Sequence, residues 1–515
     1  MSWQPEIDEL AYRKQLAARL GGEEKVKRHK AAGKLTVRER IDALADAGSF
    51  REVGALSGSG HYDSNGKLVD LTPSNLIMGR ARVEGRPVVL VGDDFTVRGG
   101  ANDGAVGDKL IHAEKMARDL RVPMVRLVDG TGGGGSVRNI ETKGHTLIPT
   151  MKVWQHVVEN MSVVPVVSLA LGSVAGMGAA RVAASHYSLM VKGTAQLFNA
   201  GPPVVARIGQ HLEKNELGGS HIHTRNGVVD DEVASEEEGF ARARQFLSYL
   251  PSSVHELPPR REPTDDPGRR DEWLLSAIPR DPRAVYKIRP IVQSLVDTDS
   301  FLEVGKHWGR AIVTGLARID GWPVAVVASD PYFYGGGWDG PTAEKFTRFV
   351  DLAEVFHLPV VNLVDIAGFQ IGLEAEKAGT MRYGVRALAA VYQATVPWCS
   401  IILRRAYGVA AAGHQHMGRF NFRYAWPSGN WGSLPIEGGL EVAYKAEIEG
   451  ADDPVQKRAE IEQRVRSLTS PFRSAEAFVV EDIIDPRETR SLLCEFANLA
   501  APLRDPGVRK FGIRP

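Results

Sequence analysis

The chain has 515 residues, with 63 lysines and arginines against 63 aspartates and glutamates, 43% hydrophobic and 24% charged residues, 54 glycines and 2 cysteines. At about 100 to 200 residues per domain this allows several domains, each able to bury its own core. The balanced charge supplies no basic field for a phosphate backbone, and Cys399 and Cys494 are too few for a disulfide framework or a four-thiolate zinc site.

The N-terminal stretch MSWQPEIDELAYRKQLAARL mixes acids and bases and has no apolar run of signal-peptide length, so a cytoplasmic location is expected. Further on, the β-rich runs PVVLVGD (87–93), PMVRLVD (123–129) and PVVSLALG (165–172) alternate with the helical pattern AVGDKLIHAEKMARDL (105–120). The strands are short and nearly all apolar, as for strands buried on both faces, and the alternation predicts α/β units with parallel pairing. The loop VDGTGGGGSVRN (128–139) lacks the Gly-Lys-Ser/Thr ending of a phosphate loop; Gly133 and Gly134 are candidates for letting a long ligand lie against backbone. Met151-Lys152-Val153 resembles the methionine-flanked lysine that accepts biotin, but in a helical-looking segment it reads as a surface lysine. The uncharged run from Met161 to Ala180 nears membrane-span length, yet Pro165 and its glycines and serines make it buried strand plus loop.

That run ends in the turn Gly176-Met177-Gly178. Small residues there let backbone approach a ligand, and the alanine-rich segment that follows can start a helix with outward N–H groups. Two adjacent amides so placed can hold a developing oxyanion. The pairs His221/His223 and His414/His416 have no third ligand at customary spacing, so no metal is expected. No Gly-x-Ser-x-Gly elbow supports a serine hydrolase.

After a Pro-, Arg- and Asp-rich stretch (252–273) the chain repeats itself. FREVG at Phe50 returns as FLEVG at Phe301, and MGRARVEGRPVVLV (78–91) returns as TGLARIDGWPVAVV (314–327). Asp94, Lys109 and Asp129 then fall on Asp330, Lys345 and Asp365, and VVPVVSLALGSVAGMG (163–178) falls on TVPWCSIILRRAYGVA (395–410). The first half carries extra residues around GSGHYDSNG and after Asp129. Two homologous halves follow, 1–255 and 256–515, and with them a second turn, Gly408-Val409-Ala410, continued by Ala411 and Ala412.

The segments GKLTVRERIDAL (33–44), DDFTVRGG (93–100), ELGGSHIHTRNGVVD (216–230), AEKFTRFVDLAEVFHLPVVNLVDIAGF (343–369), RRAYG (404–408), YAWP (424–427) and SPFRSAEAFVVEDIIDPRETRSLL (470–493) are spread over nearly the whole chain. With them the chain resembles the carboxyltransferase, or β, subunit of biotin-dependent acyl-CoA carboxylases of the propionyl-CoA and methylcrotonyl-CoA type. The resemblance implies two tandem crotonase-like α/β domains, built as β-β-α superhelices, the first holding acyl-CoA and the second receiving carboxybiotin from a partner carrier. It also implies a biotin carboxylase and carrier as partners, an active site formed across a dimer of subunits, and assembly into a hexamer, with no nucleic acid, membrane or metal involved. The two turns land on the family's oxyanion holes: Gly176 and Met177 would bind the thioester oxygen, Val409 and Ala410 the ureido oxygen of biotin. Gly178, Gly408, Ala411 and Ala412 would line the substrate. Relatives commonly read Ala-Gly-Gly-Ala at the first turn and Tyr-Gly-Gly-Ala-Tyr-Asp at the second; here Met177 places a large side chain beside the donor and Val409 also departs, while Ala411 and Ala412 stand at positions that are larger in relatives, which implies a roomier, more apolar acyl pocket. Two other readings stand beside carboxylation: a biotin-dependent decarboxylase or transcarboxylase subunit, and an assembly subunit with weakened catalysis.

Overall fold

The computed structural model describes residues 2–101, 106–130, 137, 140–141, 144–146, 148 and 150–510. The chain divides after Glu256 into two compact units, the second being Leu257–Pro506, and residues 507–510 belong with the first.

The strands of the first unit are β1 (Arg51–Val53), β2 (Gly58–Tyr62), β3 (Leu68–Pro73), β4 (Leu76–Val83), β5 (Arg86–Asp93), β6 (Met124–Val128), β7 (Val166–Ala170), β8 (Ser173–Ala175), β9 (Tyr187–Val191), β10 (Gln196–Phe198) and β11 (Asp231–Val233). Among the described residues the main sheet runs β1-β4-β5-β6-β7-β9-β11, with β2-β3 and β8-β10 as separate two-stranded ladders. Pairing is parallel from β5 to β11, as the alternation predicts, but β1-β4 and β4-β5 are antiparallel. The reason is local. Glu84 and Gly85 both take positive φ (50° and 77°), a two-residue hairpin turn that can only return the chain antiparallel. Every residue of β6, β7 and β9 is buried, so these strands form the centre of the unit.

The second unit contains β12 (Leu302–Val304), β13 (Ile312–Ile319), β14 (Trp322–Ser329), β15 (Val360–Ile366), β16 (Trp398–Tyr407), β17 (Phe422–Ala425), β18 (Asn430–Gly432) and β19 (Asp482–Ile483). Its sheet runs β12-β13-β14-β15-β16-β17-β19, with β18 beside β16. The strand senses repeat those of the first unit, and Asp320-Gly321 repeats the positive-φ hairpin turn.

The duplication reaches single residues. Leu76 opposite Asp93 returns as Ile312 opposite Ser329, and Met124 opposite Val166 as Val360 opposite Trp398. The ion pair Arg38–Glu52 returns as Arg289–Glu303. Lys109 Nζ donates to the Leu76 carbonyl at 2.5 Å, and Lys345 Nζ donates to its counterpart at Ile312 at 2.9 Å. The extra residues of the first half form the β2-β3 hairpin, where Leu68 and Leu71 pack with Leu16 and Ala17 of helix Gln4–Ala18. Helices Gly107–Leu120 and Gly340–Val355 occupy equivalent places; the second is capped by the Asp339 carboxylate, which accepts from the Thr342 amide. No helix among the described residues is long and apolar enough to cross a membrane, and Met161–Ala180 resolves into the end of a helix, β7, β8 and the start of another helix.

Candidate active site

Each unit carries a glycine turn that leads from a strand into a short helix, and each turn stands beside a buried aspartate at the end of the third strand of the main ladder counted from the hairpin. In the first unit that aspartate is Asp129. Lys34 Nζ lies 2.8 Å and Arg40 Nη1 2.9 Å from its Oδ2. Arg40 is itself buried and makes a two-pronged pair with Glu236 (2.8 and 2.7 Å) while donating to the Leu171 carbonyl at 3.3 Å. Burial pushes the Lys34 ammonium below its ordinary pKa, against the pull of Asp129. Gly172 is required here because a Cβ would fall 1.9 Å from Asp129 Oδ1. The buried charges are thus matched cation to anion, the condition under which such a cluster is tolerated.

The backbone then folds over this cluster. The Gly130 carbonyl accepts from the Ala175 amide at 3.2 Å, ending β8, and Gly176 turns with φ 57° and ψ −122° into helix Met177–Ala183. Only glycine adopts that conformation readily, and a Cβ on Gly176 would meet nothing within 4 Å, so the demand is conformational and not steric. The Gly176 amide donates to the Phe198 carbonyl of β10 at 3.2 Å. This corrects the expectation for Gly176: its N–H extends the β8-β10 ladder and is not available to a ligand. Met177 and Gly178, in the first helical turn, have no carbonyl one turn earlier to bond, and among the described residues their amides have no backbone acceptor. Gly178 is also a packing position, since a Cβ would come 2.9 Å from Val174 Cγ1.

In the second unit the aspartate is Asp365. Its carboxylate accepts from Tyr286 Oη (3.0 Å), Arg404 Nε and Nη2 (3.1 and 3.0 Å) and Arg405 Nε (2.7 Å). Burial and the facing carboxylate push the Tyr286 hydroxyl well above its ordinary pKa, so it stays protonated and donates. Arg405 Nη2 also donates to the Gly335 carbonyl at 2.6 Å, tying the end of β16 to the preceding glycine turn. Tyr407 pairs with Gly432 of β18, Gly408 takes φ 64°, and helix Gly408–Ala412 begins. The amides of Val409 and Ala410 have no backbone acceptor among the described residues. The Val409 side chain is exposed, Ala410 and Ala411 are buried, and Ala412 faces outward.

The remaining candidates divide. Gly133 and Gly134 lie outside the described residues. Lys152 is exposed ahead of helix Trp154–Asn160. Three of the four histidines bond the backbone: His223 Nε2 is 2.9 Å from the Leu197 carbonyl of β10, His414 Nδ1 is 2.7 Å from the Ala411 carbonyl, and His416 Nδ1 accepts from the Gly418 amide at 3.0 Å while its ring lies tilted against Tyr392. Among the described residues no three His, Cys, Asp or Glu are grouped to hold a metal. Two features were not singled out from the sequence: the Phe198 carbonyl as acceptor for Gly176, and Asp129 and Asp365 as the charged footings of the turns. The aspartates could have been found, because Asp129 and Asp365 fall on each other in the repeat.

The arrangement offers adjacent backbone amides at each turn, which suits stabilisation of negative charge on oxygen.

The chain matches the carboxyl transferase domain family over residues 28–509. It is 32% identical over 498 residues to a propionyl-CoA carboxylase carboxyltransferase subunit of Haloferax mediterranei, covering 96% of this chain and 95% of that protein. It is 29% identical over 500 residues to the alpha subunit of methylmalonyl-CoA decarboxylase of Veillonella parvula, covering 96% of each. Among solved structures, the transcarboxylase 12S hexamer with methylmalonyl-coenzyme A and methylmalonic acid bound superposes with a TM-score of 0.89 at 29% identity, covering 99% of this chain and 98% of that one.

Proposed function

The chain belongs to the carboxyl transferase domain family, and from that premise we propose that it is the carboxyltransferase subunit of a biotin-dependent acyl-CoA carboxylase. It moves a carboxyl group from carboxybiotin on a partner's carrier to the α carbon, or the vinylogous carbon, of an acyl-CoA. The observation that carries the reading is the duplicated glycine turn, with adjacent amides at Met177-Gly178 and at Val409-Ala410 that have no backbone acceptor among the described residues.

Residues 1–255 form the acyl-CoA side in this reading and 256–515 the carboxybiotin side. The Met177 and Gly178 amides hold the thioester oxygen as its charge grows toward an enolate. An α proton beside a thioester is weakly acidic, so this contact carries much of the barrier reduction, and one such donor is worth about 100-fold to 1000-fold in rate. The Val409 and Ala410 amides hold the ureido oxygen of biotin. Glycine and alanine at and around these turns leave room for both ligands to come against backbone. Carboxybiotin, when bound, supplies the CO2 and the base that takes the α proton. Ala411 and Ala412, small residues where relatives carry larger ones, make the acyl pocket roomier and more apolar, which favours apolar acyl groups. The subunit works as a homo-oligomer on the hexameric pattern of the 12S protein, with a biotin carboxylase and carrier as cytoplasmic partners.

Similarity to a decarboxylase subunit and to transcarboxylase 12S favours a second reading, in which the same turns run the transfer from acyl-CoA to biotin. Co-expression with the candidate biotin-carrying partner separates the two. Carboxylation that depends on ATP and bicarbonate, over a panel of short, branched and long acyl-CoAs, supports the carboxylase; ATP-independent loss of the carboxyl group from a carboxyacyl-CoA, with no forward reaction, supports the second.

A further inference from the structure

We propose that Arg126 and Asn362 are positioning residues, which aim the two pairs of amide donors by gripping the far end of the helix that each turn begins. The proposal rests on the function given above. The two residues occupy one position of the duplicated sheet: Arg126 on β6 lies opposite Ser168 on β7, and Asn362 on β15 lies opposite Ser400 on β16.

In the first unit Arg126 Nη1 donates to the carbonyls of Arg181 and Ala184 at 3.1 and 2.8 Å, and Ser168 Oγ donates to the Arg181 carbonyl at 3.3 Å. These are the carbonyls at the C-terminal end of helix Met177–Ala183. Arg126 is held from behind by Glu114 (Nη2 to Oε2, 2.8 Å), which in turn accepts from Asn160 Nδ2 at 2.8 Å; all three residues are fully buried. In the second unit the helix is shorter and the grip falls on one oxygen. The His414 carbonyl, just past helix Gly408–Ala412, accepts from Asn362 Nδ2 (2.9 Å), Ser400 Oγ (2.9 Å) and Trp398 Nε1 (2.8 Å).

The physical case has three parts. Polar side chains on the most buried strands cost desolvation, so their hydrogen bonds must be directed somewhere that matters to the fold or the site. Helices of seven and five residues are too short to hold a direction alone. And different side chains, arginine and asparagine, make the same kind of contact at the same place, while the facing serine is retained. In the first unit the guanidinium also puts a positive charge where the helix dipole is negative. With the last carbonyls fixed, the first amides point one way, and misplacement of about 1 Å at such donors costs about 100-fold in rate.

Asn362→Leu with Ser400→Ala, and Ser400→Ala alone as the variant least able to disturb folding, test the proposal in the complex with the biotin-carrying partner. Two readouts are taken: amide hydrogen exchange across residues 407–413, and initial rates against acyl-CoA concentration. The expected result is faster exchange confined to that segment and kcat lowered about tenfold or more in the double variant. A role confined to stability would leave kcat unchanged well below the melting temperature. Unchanged exchange, or faster exchange with wild-type kcat, overturns the proposal. Absence of turnover in the wild-type complex overturns the proposed function instead, and unchanged exchange in that case still overturns the grip.

Discussion

The Gly176 amide donates to the Phe198 carbonyl at 3.2 Å, and that bond decides which donors the first turn has left. Strand β10 takes the amide that a sequence reading assigns to the ligand, and the pair shifts one residue on, to Met177 and Gly178.

Proline at the first helical position keeps helical geometry while deleting one N–H, so Met177→Pro removes a donor with little damage to the helix. We expect kcat to fall about 100-fold or more, with Met177→Ala close to wild type. Val409→Pro, at the matching place in the second turn, behaves the same way. Steady-state kinetics on both pairs of variants checks this; equal losses for alanine and proline would mean that the side chain and not the amide matters.

The Tyr286 hydroxyl contributes one of several hydrogen bonds to Asp365, the rest coming from arginines. Tyr286→Phe therefore costs about 1 kcal/mol, since the carboxylate keeps its charged partners. Asp365→Leu leaves Arg404 and Arg405 facing each other without an anion and costs about 3 to 5 kcal/mol. Urea unfolding of the two variants gives the ratio directly, and near-equal losses would contradict the charge-matched footing described for the second turn.

Lys109 is buried against carbonyls, and burial pushes its ammonium down to about 8 from 10.5. Below pH 8 both folded and unfolded chains hold the proton. Between about 8 and 10.5 the unfolded chain binds it more, so stability rises with pH across that window, by about 3 kcal/mol at most. Lys109→Met loses this slope. Unfolding free energies of both proteins from pH 7.5 to 10.5 show it; parallel curves would place the Lys109 pKa near its ordinary value.

Much of the fold was legible because the chain states it twice. The offsets that align 78–91 with 314–327 and 163–178 with 395–410 are the same offsets that relate the strand registers, since a repeat keeps its pairing partners. The hairpin at Glu84-Gly85 was less visible inside an otherwise parallel pattern, because two positive-φ residues leave only a short dipeptide as signal. Both turns were found from glycine after an apolar strand. What the sequence did not carry was the β8-β10 ladder, a pairing of two three-residue strands that no periodicity marks, and with it the loss of the Gly176 donor. The segment ELGGSHIH (216–223) gains its reason from that same ladder: a Cβ on Gly218 would come 2.1 Å from the Leu197 carbonyl, and His223 bonds that carbonyl.

In the proposed function the two turns of this chain suffice to pass a carboxyl group between biotin and a CoA thioester. Incubation of the purified chain with free biotin and a panel of carboxyl-labelled carboxyacyl-CoAs, without ATP or partner, measures that alone. Label is expected on biotin from at least one thioester, and is expected to be lost in both Met177→Pro and Val409→Pro. Folded protein that binds the thioesters yet moves no label to biotin, or proline variants that transfer as fast as wild type, would contradict it.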